Sequence, residues 1–382
     1  MARIVLASHH PGLTTSYARV AREFVAALRS AGHAVSAVGS APLGEPVPAD
    51  VPYPVEAVAP EQLAAAASRA AGTGVAGTGV AGPGAPDLLV TVGDPWMFDG
   101  LDASAVRPAC RWLACFPLDG VPVPREWIRW MAAADARVVF SRFAADAVRA
   151  ATGLPCEVVP HGVDRAVFRP ADKPAAKRRV VGDPAAFVVG CVAANQQRKN
   201  LPALLNAFAA FAAGKPEVLL YLHAPVVGHW DLEALADRLG ITDRVRATLN
   251  YDPRRGLPDA DLATVYNAFD VLALPTMGEG FGLPLLEAQA CGVPAVATDC
   301  SSCPELLPDP AQRVRVRATL VMARNVEQAV VDEADLAAKL DAVYHDAALR
   351  RRLAAAGLRV AAGHDWADVR AQLRGIVAPA LR

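Results

Sequence analysis

Two glutamates, Glu279 and Glu287, bracket the run GFGLPLL in the segment MGEGFGLPLLEAQACG at positions 277–292. An ionised carboxylate accepts several hydrogen bonds and donates none, so each can hold both hydroxyls of a diol. Ribose and hexoses are rich in such diols. The preceding VLALPT reads as a strand, MGEGFG as a turn, and LPLLEAQACG as a helix with Pro284 in its first turn and Gly292 at its end. That order puts the amides of Gly280, Phe281 and Gly282 at a helix N-terminus, where unpaired donors and the positive end of the dipole favour an anion. The glycines let backbone approach a phosphate or sugar closely. The plainer alternative is a solvated loop acid, Glu279, and a second acid, Glu287, in the first helical turn that merely suits the dipole. The spacing is not G-x-G-x-x-G, which weakens a nicotinamide site.

The elements that must position these residues alternate. RIVLAS is a short β-branched run, HHPGLTTSY a polar loop, and Tyr17, Val20, Ala21, Phe24, Val25 and Leu28 recur at helical spacing before Gly32. The same alternation continues through PDLLVTVGD, CRWLACFPLDG and ARVVFSRFAADAVRAATG. A second series runs from AFVVGCVAA to PAVATD, its short apolar strands lacking polar alternation, as in parallel strands buried on both faces. FRPADKPAAKRRVVGDP, dense in Pro and charge, reads as an interdomain linker. AGTGVAGTGVAGPGAP at 71–86 reads as a flexible surface loop.

A chain of 382 residues suits two domains. Its composition, 53% hydrophobic and 20% charged, suits a well-packed soluble enzyme rather than a disordered chain, and 38 basic against 39 acidic residues leave no electrostatic footprint for nucleic acid. No run reaches the roughly 20 apolar residues that span a bilayer. MARIVLASHH enters a strand pattern directly, without the parts of a leader peptide, so a cytoplasmic location is the expectation. Seven scattered cysteines argue against a disulfide framework. Cys300 and Cys303 form C-x-x-C. A redox pair of that spacing usually opens a helix and a zinc site needs two more ligands, so small buried or loop cysteines are the favoured reading.

LPTMGEGFGLPLLEAQACGVPAVATD resembles the E-x7-E signature of retaining glycosyltransferases of family 4 (group 1), which have the GT-B fold. AGHAVSAV, EVVPHGVDRAVFRP, AANQQRKNLPALLNAF and DWADV extend the resemblance over nearly the whole chain. It implies an N-terminal Rossmann-like acceptor domain at 1–170, with a C-terminal helix at 363–382 packing back on it. A linker at 171–182 and a C-terminal nucleotide-sugar donor domain at 183–362 follow, the two parallel-sheet domains facing a central cleft. By the resemblance, Glu279 contacts the transferred sugar and Glu287 the ribose. The amides from Gly280 to Leu283 face phosphates or sugar, and Arg198 and Lys199 neutralise the diphosphate. Ala194-Asn195 stands where relatives carry Gly-Arg; Asn195 is assigned to donor binding, and Lys199 is a firmer assignment than Arg198. Ser301-Ser302 stands where two glycines are common.

In the first domain, Gly12, Thr14, Thr15 and Ser16 form the loop after the first strand, where acceptor or cleft contacts fall in a parallel sheet. Asp119 in FPLDGVP is the candidate carboxylate near the anomeric centre, against the alternative of a turn Asp before Gly120. His161 reads as shaping the interdomain turn. The implied reaction moves a hexosyl unit with retention from a UDP- or GDP-linked sugar to an unidentified small-molecule, glycan or lipid hydroxyl. Front-face attack needs no nucleophilic carboxylate, and basic residues with a helix terminus can replace a divalent ion, so no cofactor or metal is expected. An epimerase or sugar phosphorylase of the same fold, or a non-catalytic nucleotide-sugar binder, are the competing readings.

Overall fold

The computed structural model describes residues 1–41, 51–73, 85–249, 251 and 256–381. It divides into two compact units, Met1–Gly162 with Trp366–Arg382, and Val163–Asp365. The loop read at 71–86 lies largely outside the described residues; its first three residues end the helix Leu63–Thr73.

Among the described residues, the first unit carries strands β1 (Arg3–His9), β2 (Ala34–Ser40), β3 (Val55–Val58), β4 (Leu88–Val92), β5 (Arg111–Phe116), β6 (Ala136–Val139) and β7 (Glu157–Val158). They form one parallel sheet in the order β3-β2-β1-β4-β5-β6-β7. β4 is buried at all five positions, as in parallel strands covered on both faces. Ser16–Ser30 is the first crossover helix, its apolar face of Val20, Ala21, Phe24, Val25 and Leu28 buried as the spacing predicts. Gly32, at φ +82°, turns the chain out of that helix, and the following His33 N–H bonds back to Leu28 O. Trp112, Phe116, Phe98 and Trp130 fill the core on one side of the sheet, and the Trp112 indole donates to Thr91.

The C-terminal helix Trp366–Ala380 is part of this unit. Val369, Leu373 and Val377 are buried on one face, and Arg370 pairs with Glu23 at 2.5 Å. Trp366 lies against Gly162, where an added Cβ would sit 2.6 Å from the Trp366 nitrogen.

The second unit repeats the pattern with β8 (Phe187–Val192), β9 (Val218–His223), β10 (Val245–Ala247), β11 (Val271–Leu274), β12 (Ala295–Thr298) and β13 (Arg313–Val314), in the parallel order β10-β9-β8-β11-β12-β13. β14 (Val316–Val321) and β15 (Glu327–Val331) pair as a separate hairpin. In both sheets the order runs outward from the first strand in one direction and then the other, the doubly wound arrangement. The central β8 must let Phe269 close over it: an added Cβ at Gly190 would meet the Phe269 ring at 2.1 Å. Gly190→Ala therefore should cost about 1–3 kcal/mol of stability or more, as overpacking does. A urea midpoint equal to that of the wild type would show that the contact relaxes freely.

Segment 171–182 is not an extended linker. Residues Lys173–Val180 form a helix within the second unit, capped by Asp172, whose side chain accepts from Ala175 N. The chain passes from one unit to the other at Gly162–Val163 instead. The charge density that suggested a linker is used in ion pairs, Lys177 to Asp270 at 2.7 Å and Arg179 to Asp261 at 2.6 Å. Asp172 at the cap with Pro174 in the first turn makes the segment a helix start.

Candidate functional site

A doubly wound sheet offers ligands the crevice beyond the carboxyl ends of its strands, where the winding reverses. In the second unit that point lies between β8 and β11. The loop leaving β8 delivers Arg198 and Lys199 in a 3-10 turn, Gln197–Lys199, closed by Asn200 at φ +50°. The loop leaving β11 delivers Thr276 to Gly282 before the helix Leu283–Ala290. Two contacts to one carbonyl join the loops: Met277 N donates to Arg198 O at 2.7 Å, and the Thr276 side-chain Oγ1 lies 3.2 Å from the same oxygen.

The side chains meet there. Lys199 Nζ donates to Glu279 Oε1 at 2.5 Å, and Arg198 Nη1 lies 3.4 Å from Glu279 Oε2 and 3.0 Å from Gly278 O. Glu279 is 4% exposed and Lys199 7%, so the solvated loop acid is ruled out. Burial pushes the Glu279 carboxyl upward, but the Lys199 and Arg198 cations outweigh it and hold the group below its ordinary range. Glu279 is an ionised, desolvated carboxylate in contact with two cations.

The turn is built to hold that carboxylate still. Gly282 adopts φ +100°, a conformation costly for any side chain, and starts the helix with Leu285 N bonded to its carbonyl. Ser301 Oγ accepts the Glu279 N–H at 2.8 Å, and Ser302 Oγ lies 2.8 Å from Glu279 O and 3.0 Å from Phe281 O. Ser301 itself sits at φ +47°. The serines that replace two glycines thus clamp the glutamate turn from behind. Their departure from the family pattern was the one visible sign of this role.

Glu287 is placed differently from expectation. It lies in the second turn of its helix, 4% exposed, and accepts the Tyr266 hydroxyl at 2.7 Å. A side chain that only suited the helix dipole would have stayed in solvent, so burial and a specific donor mark it as a held group. Sequence reasoning missed Tyr266, because an aromatic on the helix Asp259–Asn267 carries no mark to separate it from core.

Asn195 is engaged on all sides. Its amide donates to Pro225 O and Trp230 O, and its carbonyl accepts Trp230 N at 3.0 Å, which pins the loop after β9. Gly228 packs against it so closely that an added Cβ would be 2.9 Å away. This geometry assigns the Asn195 side chain to bracing.

In the first unit, Thr15 caps the helix Ser16–Ser30 by accepting Ala18 N and also contacts His9 Nδ1 at 2.8 Å. Gly12 N bonds to His10 Nδ1, and Arg22 ties the loop down through Pro11 O and Leu13 O. Thr14 and Ser16 face solvent at the carboxyl end of β1. Asp119 is half-buried in the loop after β5. Burial pushes His9 down to about 4 and His161 to about 3, so both are neutral near pH 7. The His161 ring lies 4.3 Å from that of Phe140, tilted by 43°, and 6.2 Å from that of Trp366, in keeping with a packing role.

No group of three or more His, Cys, Asp or Glu side chains suited to a metal occurs among the described residues, and no described helix is long and apolar enough to cross a membrane.

Fold and site together define a doubly wound domain with a clamped, cation-paired carboxylate at its winding point. Residues 186–346, within the second unit, match the family described as glycosyl transferases group 1. Among curated proteins, the D-inositol 3-phosphate glycosyltransferase of Stackebrandtia nassauensis is 36% identical over 235 residues, 59% of this chain and 49% of the relative. The protein of the same name from Segniliparus rotundus is 39% identical over 164 residues, 42% of this chain and 35% of the relative. The chain spans half or less of the length of these relatives. Among solved structures, sucrose-phosphate synthase from Thermosynechococcus elongatus aligns over 99% of both chains, with a TM-score of 0.75 and 19% identity. HepE from Anabaena, solved with UDP and glucose, aligns over 99% of this chain and 100% of its own, with a TM-score of 0.74 and 17% identity. The fold is GT-B, two parallel-sheet α/β units.

Proposed function

We propose that the protein is a retaining glycosyltransferase that moves a hexosyl unit from a UDP- or GDP-linked sugar to an acceptor hydroxyl without a metal ion. The observation that carries this reading is the buried Lys199–Glu279 pair with the partly exposed Arg198 beside it, in a unit that matches the group 1 family. A diphosphate leaving group develops negative charge as the glycosidic bond breaks. A fixed ammonium and a guanidinium beside a helix start suit that charge, and desolvated groups act on it more strongly than solvated ones. Glu279, held at its backbone N–H and C=O, is oriented to accept sugar hydroxyls while its cations turn to phosphate. Glu287, fixed by Tyr266, is the proposed ribose ligand.

In a front-face reaction the departing phosphate oxygen takes the acceptor proton, so the protein's tasks are to orient two reactants and stabilise charge. Asp119 and the loop of Gly12, Thr14, Thr15 and Ser16 are the proposed first-unit contributions to the reacting carbon and acceptor. The name shared by the relatives makes a phosphorylated polyol the first acceptor class to test, and UDP-glucose, bound by HepE, the first donor.

The test is donor turnover with EDTA present, with and without acceptor. Activity that survives the chelator and depends on acceptor is expected. A strict Mg²⁺ requirement would refute metal independence, stimulation by inorganic phosphate would favour a phosphorylase, and turnover that needs no acceptor would favour a hydrolysing epimerase. Glu287→Ala should raise KM for the donor far more than it lowers kcat.

A further inference from the structure

The C-x-x-C pair has no part in the reaction, yet it forms the turn that clamps Glu279. Cys303 N donates to Cys300 O at 3.1 Å, and Cys303 is the first residue of the short helix Cys303–Leu306. A four-residue turn of this kind keeps its end Cα atoms within about 7 Å, and disulfides form at roughly 4.4–6.8 Å. The accessibilities of the two thiols differ: Cys300 is half-buried, whereas Cys303 is fully buried. Cys300 is also the neighbour that, together with burial, raises the Cys303 thiol well above its usual range. The two residues between them are the clamp, Ser301 on Glu279 N and Ser302 on Glu279 O. Cys300 Sγ lies 3.8 Å from Thr276 O, on the same loop as Glu279.

We propose that Cys300 and Cys303 are a reversible oxidation site that forms a disulfide on exposure to a hydroperoxide and thereby disturbs the seat of Glu279. The accessible Cys300 thiolate attacks a peroxide oxygen, giving a sulfenic acid and one water after protonation. The Cys303 sulfur then attacks the sulfenic sulfur, its proton and the hydroxyl leaving as a second water. Two thiols lose two electrons, and one peroxide becomes two waters. Closing the bond draws the sulfurs from non-bonded contact to about 2.05 Å. That movement is carried by a turn whose intervening serines hold Glu279, and misplacement of about 1 Å near a reacting centre can cost on the order of 100-fold in rate. The effect on rate rests on the proposed transferase function; formation of the bond does not.

The experiment treats the full-length protein with hydrogen peroxide and maps its peptides without reduction. Hydrogen exchange at residues 276–282 and donor turnover are followed in parallel. The expected result is a Cys300–Cys303 link lacking two hydrogens, faster exchange at the Glu279 amide, and at least tenfold slower turnover, all reversed by dithiothreitol. Cys300→Ser should keep basal turnover and resist peroxide. Unlinked cysteines, Cys300 carried to a sulfinic acid with Cys303 free, or a linked protein with unchanged exchange would each overturn the proposal. Absence of turnover in the reduced wild type would instead count against the transferase reading, since linkage and exchange are read without activity.

Discussion

Glu279→Gln should fold and yet lose transfer by about 100- to 1,000-fold, the scale on which single charge-orienting groups act in enzymes. Gln keeps the shape of the side chain and part of its hydrogen bonding, but removes the charge that organises Lys199 and Arg198 at 2.5 and 3.4 Å. Glu279→Ala should abolish transfer and also destabilise the second unit. It leaves Lys199, 7% exposed, as a buried cation with its contact partner gone. Breaking a buried pair in this way costs about 3–5 kcal/mol, though part is recovered if the lysine gives up its proton. Chemical denaturation and turnover measured on both variants separate the two effects. If Glu279→Gln turned over donor at the wild-type rate, the carboxylate would have no part in the reaction.

Lys199→Met is expected to be nearly as severe and to show a pH signature. The methionine fills the space of the alkyl stem but leaves the Glu279 carboxylate buried, with Arg198 as its remaining cation. Lys199 is the largest influence holding that carboxyl down, so its loss lets burial raise the group. The sign follows from linkage. In the wild type Glu279 lies below its unfolded value of roughly 4.3, so its contribution to stability is complete above that pH and fades as the pH falls through the depressed native value. In Lys199→Met the loss should begin at higher pH. Donor turnover should fall about 100-fold or more, with a larger effect on diphosphate-linked donors than on any nucleoside contact. Identical acid-unfolding midpoints for the two proteins would contradict this coupling.

Much of the framework could be read in the sequence because it follows from period and punctuation. Short apolar runs such as VVGCV and LLVTV, separated by helical spacing, specify two doubly wound sheets. Glu279 was legible because an acid inside a glycine-rich strand-to-helix turn conflicts with burial unless it is paired. The partners were harder to see. Lys199 lies 80 positions earlier and is brought to Glu279 by the adjacency of β8 and β11, a consequence of winding order rather than local pattern. Asn195 kept the look of a ligand residue because its three hydrogen bonds go to backbone at Pro225 and Trp230, which no side-chain pattern advertises. The segment 171–182 misled for a related reason: its charges pair with Asp270 and Asp261, residues of another part of the chain.

The central claim is that the cluster at the carboxyl ends of β8 and β11 receives the donor diphosphate. Its most direct test is calorimetric binding of UDP against uridine, and GDP against guanosine, to the wild type and to Lys199→Met. The wild type should bind one diphosphate at least tenfold more tightly than its nucleoside, about 1.4 kcal/mol, and the substitution should remove most of that difference. If Lys199→Met, shown by circular dichroism to be folded, kept the full preference for the diphosphate, the site would lie elsewhere.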